Sequence, residues 1–289
     1  MAQVFSTETL TITPYVRQYF EKMLVPLKGD MKGYKFAISG PISAGKSTLL
    51  QILYMLLIEF GFEIGILQEY INSDPVTGSE LLGRFISGDT TNTTFQNYIL
   101  DTYRKTYSKI DKNANIIMME RVPDDSILIF ANITNRNKPE DMNEFSLYAL
   151  YNKMLEYDKE CDFPSYLDND THIESFIGNI DDVLLSIIDI IAKDIKIGIK
   201  KRIIGLKVDV NTCIARIKRR GRKEESNYDP NYLKQIIHAY DEIFRIKNLN
   251  LLMKSQIDLN DTKYDEKVKE INKKFNIRFT NIGRLIDAF

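Results

Sequence analysis

Residues 40–47 have the sequence GPISAGKS and match the phosphate-binding pattern G-x-x-x-x-G-K-[ST] at every fixed position. The glycines of this pattern let backbone N–H groups face a phosphate, its lysine supplies a positive charge, and its serine hydroxyl is placed to ligate Mg²⁺. A strand-like run, residues 36–38, precedes the pattern, and a helix-like run, residues 48–60, follows it. A turn that only joined a strand to a helix would need neither the lysine nor the serine. The predicted nucleoside triphosphate site comprises Gly40, Ser43, Ala44, Gly45, Lys46, Ser47 and Thr48.

Two glutamates each follow a short apolar run that predicts a buried parallel strand. Glu69 follows the strand predicted at residues 63–68, and Glu120 follows the one predicted at residues 116–119. The other strands are predicted at residues 36–38, 202–208 and 256–259. With helical segments between them, the five runs predict a doubly wound α/β fold with a parallel sheet, which binds ligands at the carboxyl ends of its strands.

Glu69 and Glu120 are therefore expected beside the triphosphate site. A carboxylate at the end of a strand is commonly only a solvated residue, but two of them next to a triphosphate point to phosphoryl transfer. One can act as a general base towards a hydroxyl group, and the other can help to hold a metal ion. We predict that Glu69 is the base and that Glu120, through a water molecule, holds Mg²⁺ together with Ser47.

The composition excludes several classes of protein. Lys and Arg number 39 against 40 Asp and Glu, so the net charge of −1 gives no overall attraction for nucleic acid or an anionic membrane. The two cysteines and two histidines lack metal-type spacing, which excludes a zinc site and a disulfide framework. The N-terminus has no signal pattern, and Ser186 and Asp189 interrupt the longest apolar runs. We expect a cytoplasmic protein with no nucleic-acid or membrane partner.

Separated motifs occur in an order that resembles the deoxyribonucleoside kinase family, which includes deoxycytidine, deoxyguanosine and mitochondrial thymidine kinases. They are the phosphate-binding loop, Glu69, residues 94–98 (TFQNY), Glu120-Arg121, residues 129–131 (IFA) and residues 212–225, which are similar to the family's arginine-rich lid. The resemblance covers about residues 34–265, with one interruption. It implies a P-loop kinase that transfers phosphate from ATP, or another nucleoside triphosphate, with Mg²⁺, to the 5′-hydroxyl of a deoxyribonucleoside.

The resemblance also implies roles for the catalytic candidates. Glu69 takes the proton of the 5′-hydroxyl, and Arg121 holds that glutamate and the 5′ oxygen. The cations that stabilise the charge on the transferring phosphoryl group are Lys46, Arg216, Arg220 and Arg222. The arginine cluster could instead be a solvated helix end or a nucleic-acid patch, but the glutamates that follow it and the near-neutral chain disfavour a patch.

The nucleoside site is implied in the same way. Its residues are Glu69, Phe85, Phe95, Gln96, Tyr103, Arg121, Ser126, Phe130 and Glu225. Gln96 meets the edge of the base with its amide, and Phe95 and Phe130 enclose the base, although Phe95 could equally belong to the core. Glu225 accepts a hydrogen bond from the 3′-hydroxyl.

The chain departs from the family at positions that select the substrate. Phe85 stands where the family has a tyrosine at the 3′-hydroxyl, and the chain has no tryptophan to flank the base. Ser126 and Tyr103 stand where cytidine and purine kinases tend to carry aspartate and arginine. This favours thymidine or a broad range of pyrimidines, although Asp125 could substitute for the aspartate after a local shift.

The predicted single kinase domain, residues 1–289, carries an insertion at about residues 158–200 and the lid at about residues 216–228. Within the insertion, a stripe at helical spacing predicts an added amphipathic helix and contains Ile173, Ile177, Ile180, Leu184, Ile187 and Ile191. The helix either packs on its own domain, which we favour, or forms a new subunit contact. Members of the family usually dimerise, so we expect a homodimer.

Other functions fit less well. A nucleoside monophosphate kinase would need cations near Glu69 for the acceptor phosphate, and residues 69–77 offer none. Residues 137–140 resemble the guanine motif of GTPases but lack its aspartate and follow no predicted strand. A catalytically silent nucleotide-binding regulator would not need Lys46, Arg121 and the lid arginines together.

Overall fold

The structure is a computed structural model that describes residues 12–168, 170–222, 225 and 228–254, with side chains as far as residue 245. Contacts divide the chain into two compact units, Met1–Phe244 and Arg245–Phe289. The first contains all the described strands, and the described part of the second, residues 245–254, is helical. Within the described ranges, no helix is long and apolar enough to span a bilayer.

The described strands form one parallel sheet. They are β1 Tyr34–Ser39, β2 Ile64–Leu67, β3 Ile116–Glu120, β4 Thr171–Phe176 and β5 Lys201–Leu206. The spatial order is β2-β3-β1-β5-β4, which places β1 at the centre. Its short apolar strands have helices packed on both faces, as buried parallel strands require. The predicted doubly wound, five-stranded α/β fold is confirmed.

Helices connect these strands and cover the two faces of the sheet. They are α1 Pro14–Leu24, α2 Lys46–Glu59, α3 Tyr70–Ser73, α4 Pro75–Ser87, α5 Asn92–Tyr107, α6 Asn132–Asn137, α7 Glu144–Cys161, α8 Ile180–Ile197, α9 Val210–Arg220 and α10 Pro230–Lys254, with a 3₁₀ segment Val25–Met31 and a π-helical segment Asp125–Ala131. One apolar layer contains Phe20, Leu53 and Ile187, and a second contains Ile129 and Tyr240.

The register brings the carboxyl ends of the strands to one edge of the sheet. Ile38 of β1 pairs with Glu120, the last residue of β3. Leu67, at the end of β2, pairs with Met119, so Glu69 follows at the same edge. Residues 40–45 leave β1 between these two glutamates on one side and the end of β5 on the other. The topology therefore brings the loop and both carboxylates together.

The edge strand β4 comes from the segment in which the sequence predicts only an added helix. It pairs with β5 from Thr171 opposite Lys201 to Phe176 opposite Leu206. Ile173 therefore belongs to a strand, and Ile177 to the connection after it, so both assignments to the helix were wrong. A strand of six residues followed closely by a helix can mimic helical spacing by coincidence. The strand predicted at residues 256–259 lies outside the described residues.

The added helix itself is confirmed, but it begins at Ile180 and not at Ile173. Asn179 caps it, because its Oδ1 accepts from the Asp182 N–H at 3.0 Å. Leu184 and Ile187 are buried in the core, and α8 contacts α1 and α2. The helix therefore packs on its own domain, which is the alternative that the sequence favours.

A buried ion pair ties α8 to the centre of the sheet. Arg202 of β5 donates from Nε to Asp194 Oδ2 at 2.7 Å, and its Nη2 pairs with Asp194 Oδ1. Tyr34 of β1 donates its hydroxyl to Asp194 Oδ2 at 2.8 Å. Asp194 is fully buried and Arg202 is nearly so, and the Asp194 carboxylate therefore depends on Arg202 and Tyr34 in place of water.

Candidate active site

The phosphate-binding loop joins the end of β1 to the start of α2. Gly40 has φ 144°, and a Cβ added there would lie 2.5 Å from the Leu206 carbonyl oxygen, so the position requires glycine. Gly45 has φ 100° and precedes Lys46, the first residue of α2. The turn therefore directs the free backbone N–H groups of a 14-residue helix towards the loop. Such a helix start binds anions.

Lys46 is buried beside this loop. Only 4% of the residue is exposed, and its Nζ donates to the Pro41 carbonyl oxygen at 2.8 Å. Burial, reinforced by the positive charge of Arg121, lowers the pKa of Lys46 to about 8, although Glu69 and Glu120 oppose that shift. An anion bound at the loop would favour the charged ammonium.

Glu69 and Arg121 form an ion pair at the same edge of the sheet. Arg121 Nε donates to Glu69 Oε1 at 2.9 Å, and Arg121 Nη1 donates to the Gly40 carbonyl oxygen at 2.8 Å. Nη1 also contacts the Tyr240 hydroxyl, and the Phe130 ring centroid lies 5.0 Å from Cζ. The guanidinium is therefore held on several sides, and it fixes the glutamate in turn.

The side chains of Ser47 and Glu120 place oxygen atoms that could bind a metal ion next to Lys46. The Ser47 hydroxyl donates to Glu120 Oε1 at 2.7 Å, and Asn72 Nδ2 donates to Glu120 Oε2 at 3.5 Å. Mg²⁺ prefers such hard oxygen ligands and usually takes only one or two carboxylates, with waters and phosphate oxygens completing its shell. The part of the chain that the structure describes contains no group of three or more His, Cys, Asp or Glu residues placed to hold a metal ion by themselves. The pair therefore fits Mg²⁺ bound together with a triphosphate.

The two carboxylates have opposite pKa shifts. Burial raises the pKa of Glu69, but the charges of Arg121 and Lys46 outweigh it and hold the pKa below its ordinary value. Burial and the negative charge of Glu69 together raise the pKa of Glu120. Glu69 is thus ionised at neutral pH, and its charge depends on the two cations.

Aromatic side chains and Gln96 form a pocket beside Glu69. Phe85 and Phe95 stack with ring centroids 4.9 Å apart. Gln96 is buried, its Nε2 donates to Asn92 Oδ1 at 2.9 Å, and its Oε1 is a buried oxygen without a hydrogen-bond partner. Asn92 is itself oriented, because its Nδ2 donates to the Phe130 carbonyl oxygen at 3.2 Å and to Thr134 Oγ1 at 2.6 Å. Gln96 therefore offers a free acceptor oxygen.

The structure defines the surroundings of Tyr103, Ser126 and Asp125, which the sequence analysis places near the base. The Tyr103 hydroxyl donates to the Glu120 carbonyl oxygen at 3.0 Å. Ser126 lines the cavity that contains this pocket. Asp125 is buried, and its carboxylate accepts from the Ser39 hydroxyl at 2.5 Å and from the Tyr166 hydroxyl at 2.9 Å. Asp125 is therefore engaged in the core and does not line the cavity, so the substitution that the sequence left open would still need a local shift.

These groups surround one cavity of about 1440 Å³. Every residue that the sequence predicts for the site lines this cavity except Gly40, which approaches Leu206 instead. Pockets for a single small ligand typically measure about 300–1,000 Å³. The cavity is therefore large enough for two ligands side by side.

A family model described as deoxynucleoside kinase matches residues 36–182 and 178–278 of this chain. The chain belongs to the deoxynucleoside kinase family. It is a kinase, and the activity of its family is nucleoside phosphorylation. No curated protein matches the sequence.

Among solved structures, two of a deoxyadenosine kinase from M. mycoides are similar to this deoxynucleoside kinase. The one with bound dATP is 20% identical, covers 75% of this chain and 86% of that chain, and gives a TM-score of 0.45. The one with the products dCMP and a flexible dCDP is 19% identical, covers 74% and 84%, and also gives a TM-score of 0.45.

The arginines of the kinase's predicted lid lie over the phosphate-binding loop and the cavity. Arg216 Nη1 donates to the Ser43 carbonyl oxygen at 3.1 Å. Arg220 Nη2 and Arg222 Nη1 both contact the carboxylate of the buried Glu225, the latter at 3.3 Å. One carboxylate therefore holds both Arg220 and Arg222.

Several residues of the kinase site were not predicted from the sequence. Asn92 orients Gln96 and stands four residues before it on α5, so helical spacing could have indicated it. Tyr240 contacts Arg121 from α10, and Asn72 contacts Glu120, without a sequence signal for either. Tyr228 and Tyr232 also line the cavity.

Proposed function

We propose that the kinase transfers the γ-phosphoryl group of ATP to the 5′-hydroxyl of a pyrimidine deoxynucleoside. The observation that carries this proposal is the position of Glu69, an ionised carboxylate fixed by Arg121 in the same cavity as Lys46 and the Phe95–Gln96 pocket. A nucleoside in that pocket and a triphosphate at the loop would meet at Glu69. Each step below follows from that arrangement.

Glu69 serves as the general base. A sugar hydroxyl is a poor nucleophile, so a carboxylate within hydrogen-bond reach accelerates the attack by taking the proton. The low pKa of Glu69 keeps the carboxylate ionised at neutral pH. Arg121 keeps Oε1 in place and leaves Oε2 of Glu69 to face the hydroxyl.

Cations stabilise the transferring phosphoryl group. Its charge spreads over three oxygens in the transition state, and groups already oriented towards those oxygens lower the barrier. Lys46 and Arg216 are fixed at the loop. Ser47 and Glu120 would hold Mg²⁺, which supplies further neutralising charge. Arg220 and Arg222 share Glu225, the proposed acceptor for the 3′-hydroxyl, so the sugar and phosphate sites are linked through one carboxylate.

We propose that the pocket accepts pyrimidines without selecting cytosine. The free Oε1 of Gln96 accepts from a base N–H, which thymine supplies at N3 and cytosine at N4. The Ser126 hydroxyl can donate or accept, so it tolerates either base. A carboxylate that would favour the cytosine amino group is missing, because Asp125 is engaged by Ser39 and Tyr166.

The proposal is tested by phosphoryl transfer from Mg²⁺–ATP to each of the four deoxynucleosides and their monophosphates. We expect a pyrimidine deoxynucleoside to become the 5′-monophosphate. Transfer only to monophosphates would instead indicate a nucleoside monophosphate kinase.

Thymidine is expected to be used at least as well as deoxycytidine. The neutral Ser126 leaves room beside the base and provides no charge that discriminates between the two. The measurement is the ratio of kcat/KM for thymidine and deoxycytidine. A good pair of hydrogen bonds to a base is worth about 1–3 kcal/mol, so a preference for deoxycytidine of about a hundredfold would contradict the assignment.

Affinity for Mg²⁺–ATP is expected to fall as the pH rises above about 8. The pKa of Lys46 in the free enzyme is about 8, and a bound triphosphate raises it, so binding then requires proton uptake. The dissociation constant rises by at most about tenfold per pH unit. Calorimetry between about pH 7.5 and 9.5 measures this, with Lys46→Arg as the matched variant because arginine stays charged. If the dissociation constant rose equally with pH in the wild type and in Lys46→Arg, a group other than Lys46 would be responsible.

Two further predictions accompany this function. The homodimer implied by the resemblance, and the cytoplasmic location, stay predictions from the sequence. Phe145 and Tyr148, exposed one turn apart on α7, are side chains that a subunit contact would cover.

A further inference from the structure

The order of the strands separates the two ligands of the cavity. β1, which leads into the phosphate-binding loop, is central, with β3 and β2 on one side and β5 and β4 on the other. Glu120 ends β3 and Glu69 follows β2, so the acceptor hydroxyl lies on that side. In phosphoryl transfer the attacking and leaving oxygens are roughly in line on opposite sides of the phosphorus. The rest of the donor must therefore extend across the ends of β5 and β4.

The cavity continues to the connection between β4 and α8. The wall there consists of Phe176, Ile177, Gly178, Ile180 and Val183. Ile177 is 78% exposed and Ile180 is 40% exposed, although both side chains are large and apolar. The wall faces the same cavity as Arg216, which is bonded to the loop. Neither the acceptor pocket nor the phosphate groups account for an open apolar surface at this end.

We propose that the connection between β4 and α8 forms the site for the base of the nucleoside triphosphate donor. The inference rests on the proposed function, because that function assigns the acceptor and the donor to their sides of the cavity. A nucleobase is flat and largely apolar on its faces, and proteins bind those faces with apolar and aromatic side chains. Phe176, Ile177 and Ile180 supply such a surface beyond the triphosphate position. The predicted insertion thus has two roles. Its helix α8 packs in the core, and the connection between β4 and α8 contacts the base of the donor.

The test replaces the apolar surface without adding charge. The variant is Ile177→Ser with Ile180→Ser, and the matched control is Ile197→Ser at the other end of α8, where the isoleucine is 60% exposed and does not line the cavity. All three side chains are exposed, so the fold should be kept, and the melting temperature checks this. Calorimetry measures binding of Mg²⁺–ATP and of Mg²⁺–tripolyphosphate, which has the phosphates but no base.

We expect the double variant to raise the dissociation constant for ATP about tenfold, by loss of apolar contact with the base. Binding of tripolyphosphate and the KM for the nucleoside should not change, and Ile197→Ser should match the wild type throughout. Unchanged ATP affinity in the double variant would place the base elsewhere. An equal loss for ATP and tripolyphosphate would show that the connection acts on the phosphate-binding loop, and would also overturn the proposal.

These binding measurements need no turnover, so they remain decisive if no nucleoside is phosphorylated. In that case the proposed function fails, whereas the base site is still judged by the difference between ATP and tripolyphosphate. If transfer occurs but the difference is absent, the base site fails alone.

Discussion

Glu69→Gln should lower kcat by about 10²–10⁴-fold while the KM for the nucleoside stays nearly unchanged. Glutamine has the same shape and keeps an oxygen that can accept from Arg121 Nε, so the ion-pair geometry is largely retained. It cannot take a proton from the 5′-hydroxyl. Steady-state kinetics at saturating Mg²⁺–ATP separate the two effects, because loss of a general base acts on the transition state and not on ground-state binding.

The matched control is Glu63→Gln, an exposed glutamate just before the opposite end of β2. It makes the same chemical change next to the same strand without touching the cavity, so its kcat should equal that of the wild type. If Glu69→Gln stays within a few-fold of the wild type, another group takes the proton.

Arg202→Met should lower the free energy of unfolding by about 3–5 kcal/mol. The change removes the cation that pairs with the buried Asp194 carboxylate. Of the two side chains that donate to this carboxylate, only Tyr34 then remains. For a unit of this size, the melting temperature should fall by roughly 10 °C. Chemical denaturation and thermal melting at neutral pH provide the two measurements.

Two comparisons isolate the cause of this loss. Arg17→Met removes an exposed partner of Glu59, where the pair is 44% and 42% exposed, so it should cost about 1 kcal/mol or less. Replacing the whole buried group, by Arg202→Met with Asp194→Leu and Tyr34→Phe, should recover most of the stability because no buried charge remains. If the triple variant lost as much stability as Arg202→Met alone, the loss would be due to packing and not to an unpaired buried charge.

Local patterns in the sequence predicted the position of one half of the candidate site. The phosphate-binding loop could be predicted because consecutive residues specify its backbone turn and the helix after it. Glu69 and Glu120 could be predicted because each ends an apolar run, and parallel strands bring their carboxyl ends to one edge. The order of the motifs extended the prediction to Phe95, Gln96, Arg121 and the lid arginines Arg216, Arg220 and Arg222, and all of these line the cavity.

Tertiary structure decided the features that depend on residues far apart in the chain. The strand β4 was missed because a six-residue run carries too little periodicity to compete with the helix after it, and only pairing with β5 makes it a strand. The orientation of Gln96 depends on Asn92, which Thr134 and the Phe130 carbonyl fix from another segment. Asp125 stands next to Ser126 in sequence, yet Ser39 and Tyr166 hold it in the core. A sequence gives the hydrogen-bonding capacity of a side chain, but its partner is set by what the fold packs against it.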